Sequence, residues 1–286
     1  MNPNVAFISN PNILHNGDFR NPVNQRGQTE YSGGAVTYAI DRWFVSGTTS
    51  QTLSVHPGFI RLTKLSTTTL GSIFGQHIEN PQGLLGKTIT TAVETSIGIF
   101  MQTVTLPSSM SDWNGPIMEL GNSGFRMMPQ INGNRLTLGR ITSPGVVIPN
   151  DISIDIYRIK VELGTVSTLQ NDPPMDFGKE LAVCQRYQTI IGDVNSSTYR
   201  ASRIRQNDMT FSIPLTTRLR IIPTIVAKQS PTPYLQIFNH SNVLQDGFTF
   251  SCFNPGNAVS VIAEKAGHGL TDGHLLMQNY LLDANL

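Results

Sequence analysis

The sequence predicts an all-β protein in which one β-sandwich or barrel is joined by a short helix to a smaller second β-sandwich. Short segments rich in β-branched and aromatic residues recur about every ten residues between Pro and Gly, which is typical of such folds. One longer segment alternates apolar and polar residues, as a strand with one buried face does. No stretch has the periodicity of a long amphipathic helix, so a doubly wound α/β fold is excluded.

The N-terminal residues 1–11 carry three asparagines and two prolines and have no hydrophobic period. Such a stretch is either an extended arm that anchors to a neighbouring subunit or a frayed terminus. Asn16-Gly17, which comes next, is a strong turn signal because asparagine and glycine tolerate positive φ. The first compact domain is therefore expected to begin near residue 12.

Two early arginines have two possible roles. Arg26 and Arg42 either bind the carboxylate of a ligand or pair with Asp18 and Asp41 to brace strand ends. Few residues are charged in this chain, which favours bracing. Trp43 follows a strand-like segment, which favours a place in the core over a place on a sugar-binding surface.

Strand-like segments follow one another from residue 51 onwards. They read LSVH, FIRLTKL, GSIFGQHI, KTITTAVET, IGIFMQTVTL, FRMMPQI, RLTLGRI and GVVIP. Trp113 differs from them because it sits among turn-forming residues with little apolar company. Its indole could stack on a pyranose ring, with Asp112 and Asn114 as polar neighbours, or it could fold back onto the sheet. Trp113, Asp112 and Asn114 are the candidate glycan-binding residues.

A long strand at 152–163 is the clearest element. Its first apolar set is Ile152, Ile154 and Ile156. From Tyr157 the parity reverses, and the apolar set becomes Tyr157, Ile159, Val161 and Leu163, while Arg158, Lys160 and Glu162 face away. A slip of one residue exchanges the two faces, so the sequence predicts a bulge or sharp twist near Ile156.

A helix is predicted after this strand. Pro173-Pro174 rules out helix before Met175, and Asp176 suits the N-cap. Phe177, Leu181, Cys184 and Ile191 then fall on one helical stripe. The predicted organisation is an arm at 1–11, a first domain at 12–176, a linking helix at 177–191 and a second β-sandwich at 192–286.

In the predicted second sandwich, apolar side chains alternate again from Met209 onwards. Pro214 cannot donate a ladder hydrogen bond, which predicts an edge or bulged position for its strand. Residues 254–257 predict a turn. The last apolar residues, from Leu276 to Leu286, predict a final strand that is tied into its sheet.

Composition excludes several classes of partner. The formal net charge is +1 and only 14% of the 286 residues are charged, so no footprint for nucleic acid or an anionic membrane exists. No stretch reaches the roughly 20 apolar residues of a membrane span, and the N-terminus lacks the pattern of a signal peptide. We therefore expect synthesis as a soluble protein in the cytoplasm. Cys184 and Cys252 lie in apolar surroundings and are predicted to be buried free thiols.

Catalytic motifs are absent from the sequence. It contains no GxSxG, HExxH, phosphate-binding glycine loop, CxxC pair or internal repeat, and its acidic residues are too scattered to propose a glycosidase pair. The richest polar cluster is the glycine-rich stretch 267–274. His268, Asp272 and His274 could ligate a transition-metal ion, with threefold symmetry completing the shell, or they could belong to a surface hairpin loop.

Four motifs in order carry a family resemblance. They are NGDFRNPVNQRG at 16–27, IDRW at 40–43, IKVELGTVST at 159–168 and FGKELAVCQRYQ at 177–188. Together they resemble a module of phage and prophage tail-associated proteins and cover most of residues 12–190. Segments 214–225 and 280–286 match more loosely. The resemblance implies a jelly roll like that of carbohydrate-binding modules, followed by a second β-domain.

The resemblance also implies a function, a location and an ion. Proteins of this kind occur in virion fibres or receptor-binding tips and are commonly trimeric, so we expect a homotrimer in the virion that contacts other virion proteins. The leading hypothesis is non-enzymatic recognition of host-surface polysaccharide. The alternatives are a purely structural head fibre or decoration protein and, third, a polysaccharide-degrading enzyme. Related jelly rolls often hold a structural Ca²⁺, for which Asp18 and Asp155 are the matching ligands.

Overall fold

A computed structural model of the protein describes residues 9–32, 34, 36–47, 51–67, 71, 73–191, 197–227, 234–239, 241–253, 258–278 and 280–285. Antiparallel strands dominate, which confirms the predicted all-β class. The chain divides into two compact units, Met1–Asn24 with Thr29–Glu180, and Gln25–Gln28 with Leu181–Leu286. The first eight residues of the predicted arm, the predicted turn at 254–257 and Leu286 lie outside the described residues.

The first unit is built from fourteen described strands. They are β1 (Glu30–Ser32), β2 (Thr37–Tyr38), β3 (Phe44–Ser46), β4 (Gln51–His56), β5 (Phe59–Lys64), β6 (Ile73–His77), β7 (Thr88–Thr95), β8 (Gly98–Thr105), β9 (Trp113–Asn114), β10 (Met118–Glu119), β11 (Arg126–Met127), β12 (Gln130–Asn132), β13 (Arg135–Thr142) and β14 (Ile152–Leu163). One sheet has the order β1-β4-β5-β14-β7-β8. The other has the order β10-β11-β13-β6-β3-β2, and β12 joins β9 to β13 beside it.

The core of this unit lies between the two sheets. Both sheets contribute fully buried side chains to a single apolar cluster, for example Ile156 and Val161 from the first sheet and Phe74 and Leu138 from the second. Trp43 is buried in the same cluster, as predicted, and stacks on Phe74 with ring centroids 4.7 Å apart. The two inner faces therefore form a sandwich core, the arrangement that alternating strands favour.

The predicted irregularity in the long strand is present. The pairing of β14 with β7 shifts register between Ile156 and Arg158. Beyond this point, the edge of β14 that no longer pairs with β5 bonds to the N-terminal segment. The Ile159 N–H donates to the Gly17 carbonyl at 2.8 Å. A Cβ at Gly17 would lie 2.5 Å from the Ile159 oxygen, so only glycine permits this approach.

The charged side of β14 is buried rather than solvated. Lys160 and Glu162 are fully buried, and Arg158 nearly so. Lys160 Nζ bonds Thr168 Oγ1 at 2.8 Å and contacts Asp172, and the Glu162 carboxylate accepts from the Thr168 N–H at 2.6 Å. The segment that follows the strand folds over its polar face and pairs these charges.

The predicted helix is shorter than expected. It is α1 (Phe177–Cys184), and the Asp176 carboxylate accepts the Lys179 N–H at 3.2 Å in the predicted capping role. The prediction that helix continues to residue 191 was wrong, because residues 188–191 form a strand. β-Branched Thr189, Ile190 and Ile191 pair there with the last strand of the chain, and this tertiary pairing overrides the helical stripe.

The described residues of the second unit form two more sheets. Its strands are β15 (Gln188–Ile191), β16 (Ser197–Ile204), β17 (Asp208–Pro214), β18 (Thr224–Ala227), β19 (Tyr234–Phe238), β20 (Leu244–Gln245), β21 (Thr249–Phe253), β22 (Ala258–Glu264), β23 (His274–Gln278) and β24 (Tyr280–Asp283). The larger sheet has the order β20-β19-β23-β16-β17-β22-β21, and the smaller one β15-β24-β18. Side chains from both sheets share a second core cluster, including Phe211, Val261 and Leu282.

Two sequence expectations for this unit need correction. The strand that contains Pro214 is not an edge strand as a whole, because β17 lies between β16 and β22. Its ladder with β16 ends at Phe211, however, so Pro214 itself has a partner on one side only, Ala258 of β22. Pro214 is its last residue, where the lost donor ends the ladder without leaving a gap inside it. The predicted final strand is also two strands in different sheets, β23 and β24.

Neither cysteine forms a disulfide among the described residues, as predicted, but the predicted burial holds for Cys184 only. Cys184 is fully buried, and Cys252 is half-buried on β21. Burial raises the pKa of the Cys252 thiol to about 11. Because only the thiolate is an effective nucleophile, Cys252 has no reactive character at neutral pH.

Candidate functional site

Trp113 lies on the core side of its sheet. It is half-buried on β9, opposite Ile131, which is a core residue. Cross-strand partners share a face, so the indole points towards the interior, where it packs against the core cluster. A Cβ on Gly115 would come within 2.9 Å of the Trp113 ring, so the ring also covers the backbone of its neighbour.

The polar neighbours of Trp113 hold the local chain. Asp112 Oδ1 accepts the Gly133 N–H at 2.7 Å. Asn114 Oδ1 accepts from Gln130 Nε2 at 2.8 Å. Both side chains are exposed, but each carries a bond to a neighbouring turn or strand. A glycan at this place would have to share these groups with the protein, and the prediction for the three residues stays a prediction.

The two candidate calcium ligands are engaged by different arginines. Asp18 pairs with Arg20, and Asp155 accepts from Arg61 at 2.6 Å and 2.9 Å through both carboxylate oxygens. An arginine that occupies a carboxylate competes with a cation for the same lone pairs. Within the described ranges, no group of three or more His, Cys, Asp or Glu side chains is placed to hold a metal ion.

The candidate transition-metal residues lie along a loop and the strand after it. His268 Nδ1 accepts the Leu270 N–H at 3.0 Å, and its ring lies 5.6 Å from that of Phe248. His274 starts β23 and lines a pocket of about 350 Å³ with Phe238. One chain does not assemble these histidines with Asp272 into a metal centre, and the symmetric site stays a prediction.

Arg26 and Arg42 act as structural donors. Arg26 Nη2 pairs with Asp283 at 2.6 Å, so it braces a carboxylate as expected, although a different one from those considered. Arg42 Nη2 donates to the His77 carbonyl at 3.1 Å. Neither guanidinium is presented as a binding surface.

A pocket that sequence reasoning missed lies on the outer face of the second sheet of the first unit. We call it the arginine pocket. Its volume is about 360 Å³, and it is lined by Gly71, Ile73, Ile117, Arg126, Met128, Arg140, Thr142 and Ser143. Two guanidinium groups, a threonine hydroxyl and three apolar side chains therefore meet in one concavity. Pockets of this size and mixed lining are typical of small-molecule sites.

A bulge in β13 directs Arg140 away from the core. Leu138 and Ile141 both pack in the core, and the register with β6 shifts between them. Gly139 has a φ of +57°, and a Cβ there would lie 2.9 Å from the Trp43 ring. Two constraints therefore require glycine at position 139: the positive φ angle and the close approach of the Trp43 ring. The inserted residue leaves Arg140 on the outer face, where bulges often re-aim a functional side chain.

The Arg140 guanidinium is buried without a full set of partners. The residue is 7% exposed, and its Nε and Nη1 atoms have no hydrogen-bond acceptor. Burial, together with the positive charge of Arg126, lowers the pKa of Arg140 from its ordinary value. Buried cations in proteins are normally paired, so these donors point to a group that the chain does not supply.

Arg126 completes the cationic side of the pocket. It is half-buried on β11, and its register partner on β13 is Thr142, two residues beyond Arg140. Glu119 lies opposite Arg126 on β10 but forms no ion pair with it. Across the described parts of the chain, no carboxylate neutralises either arginine. The chemistry of this lining would suit an anion.

One further polar pocket lies beside the N-terminal motif. Its volume is about 130 Å³, and Asp18, Arg158, Asp172 and Glu180 are among its lining residues. Glu180 accepts the Asn16 N–H, and burial raises the pKa of its carboxyl group. Three of these charged groups already have partners elsewhere: Asp18 pairs with Arg20, Arg158 with Glu94 and Asp172 with Lys160.

Comparisons with known proteins did not assign the chain to a family, so its class rests on its fold and pockets. No protein-family model matches the chain, and the search of curated proteins found no match. Among the described residues, no helix has the length and apolarity needed to cross a membrane. The molecule is thus an all-β protein of two compact units, and the arginine pocket lies in the first unit.

A sequence signal for the arginine pocket did exist. Glycine within a strand pattern indicates a bulge, and RLTLGRI carries Gly139 directly before Arg140. The signal predicts that the residue after the glycine changes face. It does not predict that Arg126, from another strand, joins it, because that requires the pairing of β11 with β13.

Proposed function

We propose that the protein is a non-enzymatic virion component of a phage tail or fibre tip, and that its first unit recognises a glycan on the host surface. The observation that carries the glycan assignment is the arginine pocket, an open concavity in which hydrogen-bond donors face apolar walls. Sugars need both features, since their hydroxyl groups take hydrogen bonds and their CH faces pack on apolar side chains. The phage assignment rests on the four sequence motifs.

The pocket is a better place for the sugar than the surroundings of Trp113. The indole of Trp113 packs towards the core, whereas Ile117 on the wall of the pocket is exposed. An exposed apolar side chain beside unpaired donors is available to a ligand at no cost to the fold. We therefore place the glycan against Ile117 and Met128.

A structural role in assembly is the second candidate, and β8 favours it. This strand ends its sheet, and its sequence GIFMQTVT contains no charged residue. Ile99 and Met101 are exposed on it, Met101 at 62%. Long uncharged edges are normally covered, and contact with another virion subunit would cover this one.

A glycan array with the intact protein tests the proposal, and two variants locate the site. Ile117→Ala should weaken binding about 3- to 10-fold, because an apolar contact with the ring is lost. Trp113→Ala should leave affinity within about 2-fold and lower stability instead, by about 3 kcal/mol or less for a half-buried aromatic.

The array also separates the candidate functions. Absence of any glycan binding by the wild type would favour the assembly role. Loss of binding in Trp113→Ala, with a normal melting temperature and normal binding by Ile117→Ala, would return the site to Trp113. Release of reducing ends from a bound polysaccharide would contradict the non-enzymatic assignment. Immunogold labelling of intact particles would place the protein in the tail or elsewhere.

A further inference from the structure

The structure assigns the arginine pocket to a carboxylate-bearing sugar: we propose that Arg140, together with Arg126, binds the carboxylate of a uronic or nonulosonic acid residue. This inference rests on the proposed glycan function and deepens it. It names the chemical class of the ligand and the two side chains that select it.

The first step is that two nitrogen atoms of the buried Arg140 guanidinium lack hydrogen-bond acceptors. Its Nε and one terminal nitrogen are buried and have no acceptor. A guanidinium presents such donors in a planar fork that matches the two oxygens of a carboxylate. A bound carboxylate would supply both the missing acceptors and the missing charge.

The second step is the proximity of Arg126. Two arginines that line one pocket repel each other, and an anion bound between them would relieve this repulsion. The bulge at Gly139 nevertheless holds Arg140 in this position, at the cost of a regular ladder. Local irregularity that produces an unfavourable contact is typical of a binding site.

The third step is the shape of the remaining wall, which favours a sugar acid over a simple inorganic anion. Ile73, Ile117 and Met128 line the pocket opposite the polar groups. Phosphate would leave these side chains without a partner, whereas the CH face of a pyranose ring would cover them. Thr142, also in the lining, adds a hydroxyl that can pair with a ring substituent.

The test uses the full chain and matched pairs of glycans that differ in a carboxylate: methyl glucoside with methyl glucuronide, and lactose with sialyllactose. Titration calorimetry should show that the wild type binds at least one acidic member about 10-fold or more tightly than its neutral partner, the scale of one charge-assisted pair. Arg140→Met should abolish this preference. Arg135→Met is the matched control, because Arg135 starts the same strand, is exposed and does not line the pocket. It should bind as the wild type does.

Thermal unfolding distinguishes a binding arginine from a structural one. Removal of a buried cation that has no partner should leave the melting temperature of Arg140→Met unchanged or raised. A fall of more than about 5 °C would show that the side chain supports the fold, and would overturn the inference. Retention of the acidic preference by Arg140→Met would overturn it as well.

The outcomes of this experiment also distinguish failure of the carboxylate inference from failure of the proposed glycan binding. If the wild type binds neutral and acidic partners equally, the carboxylate inference falls and glycan binding stands. If no glycan of any kind binds, both fall. Inorganic phosphate serves as the competitor: displacement of the uronide by an equal concentration of phosphate would mark a general anion site and overturn the assignment to a sugar acid.

Discussion

At the scale of single residues, His77 shows how the outer face of the second sheet fixes the charge state of a side chain. Its ring stacks on Phe44 with centroids 4.3 Å apart, and its Nδ1 lies 3.0 Å from Thr137 Oγ1. Burial, then the positive charges of Arg135 and Arg42, lower the pKa of His77 to about 4. The imidazole is therefore neutral at physiological pH.

This pKa predicts a pH dependence of stability. The unfolded chain takes up the proton near the ordinary value of 6.5, before the folded protein does, so the stability is complete above pH 6.5 and is lost as the pH falls towards 4. Between pH 7 and pH 4, the wild type should lose about 2–3 kcal/mol more of its free energy of unfolding than His77→Phe does. Tryptophan fluorescence in urea measures this, because both tryptophans, Trp43 and Trp113, belong to the first unit. Equal losses in the two proteins would show that His77 titrates normally.

At the scale of elements, both faces of β14 are buried and make contacts that hold the first unit together. Ile154 and Ile156 fill the core on one side, and the bulge then exchanges the faces so that Ile159 and Val161 continue it. On the other side, Lys160 and Glu162 are fully buried beneath the chain that follows the strand. The strand therefore joins the sheet to the segment that leads into α1.

The buried pair should show the cost of an uncompensated charge. Lys160→Ala leaves the Glu162 carboxylate buried without its cation, and should lower the free energy of unfolding by about 3–5 kcal/mol. The double variant Lys160→Met with Glu162→Gln should recover part of this loss, because neither of the two buried charges remains and the amide oxygen can still accept the Thr168 N–H. Arg61→Ala is the control, since its pair with Asp155 is only partly buried and should cost about 1 kcal/mol or less. A Lys160→Ala loss no larger than that of the control would contradict the structural role of the pair.

At the scale of the whole molecule, the uncharged edge strands of both units bear on assembly. Within the second unit, the larger sheet ends in β20 and β21, and neither strand contains a lysine or a glutamate. In the first unit, β8 presents the same absence of charge. Edges without charged residues are covered in most native proteins, and a symmetric copy is one way to cover them.

We expect the isolated protein to be a homotrimer joined mainly through its second unit. Light scattering at micromolar concentration should give a mass near three times the chain mass of 31.4 kDa, and a mass near the single value would exclude the trimer. Ser251→Lys on β21 should dissociate it by placing a charge on the exposed face of the edge strand. Met101→Lys on β8 is the matched variant for the first unit. Dissociation by Met101→Lys alone would move the interface to β8.

The sequence by itself determined the all-β class, the bulge near Ile156, the buried Trp43, the Asp176 cap and the free thiols. These are local properties: each follows from the spacing, size or hydrogen-bonding capacity of residues close together in the chain. Tertiary structure decided the rest. Residues 188–191 form a strand because they pair with β24. The strand β17 is central because β16 and β22 flank it. The arginine pocket exists because strand pairing brings residue 126 opposite residue 142, two residues from Arg140, and no local pattern encodes which strands will pair.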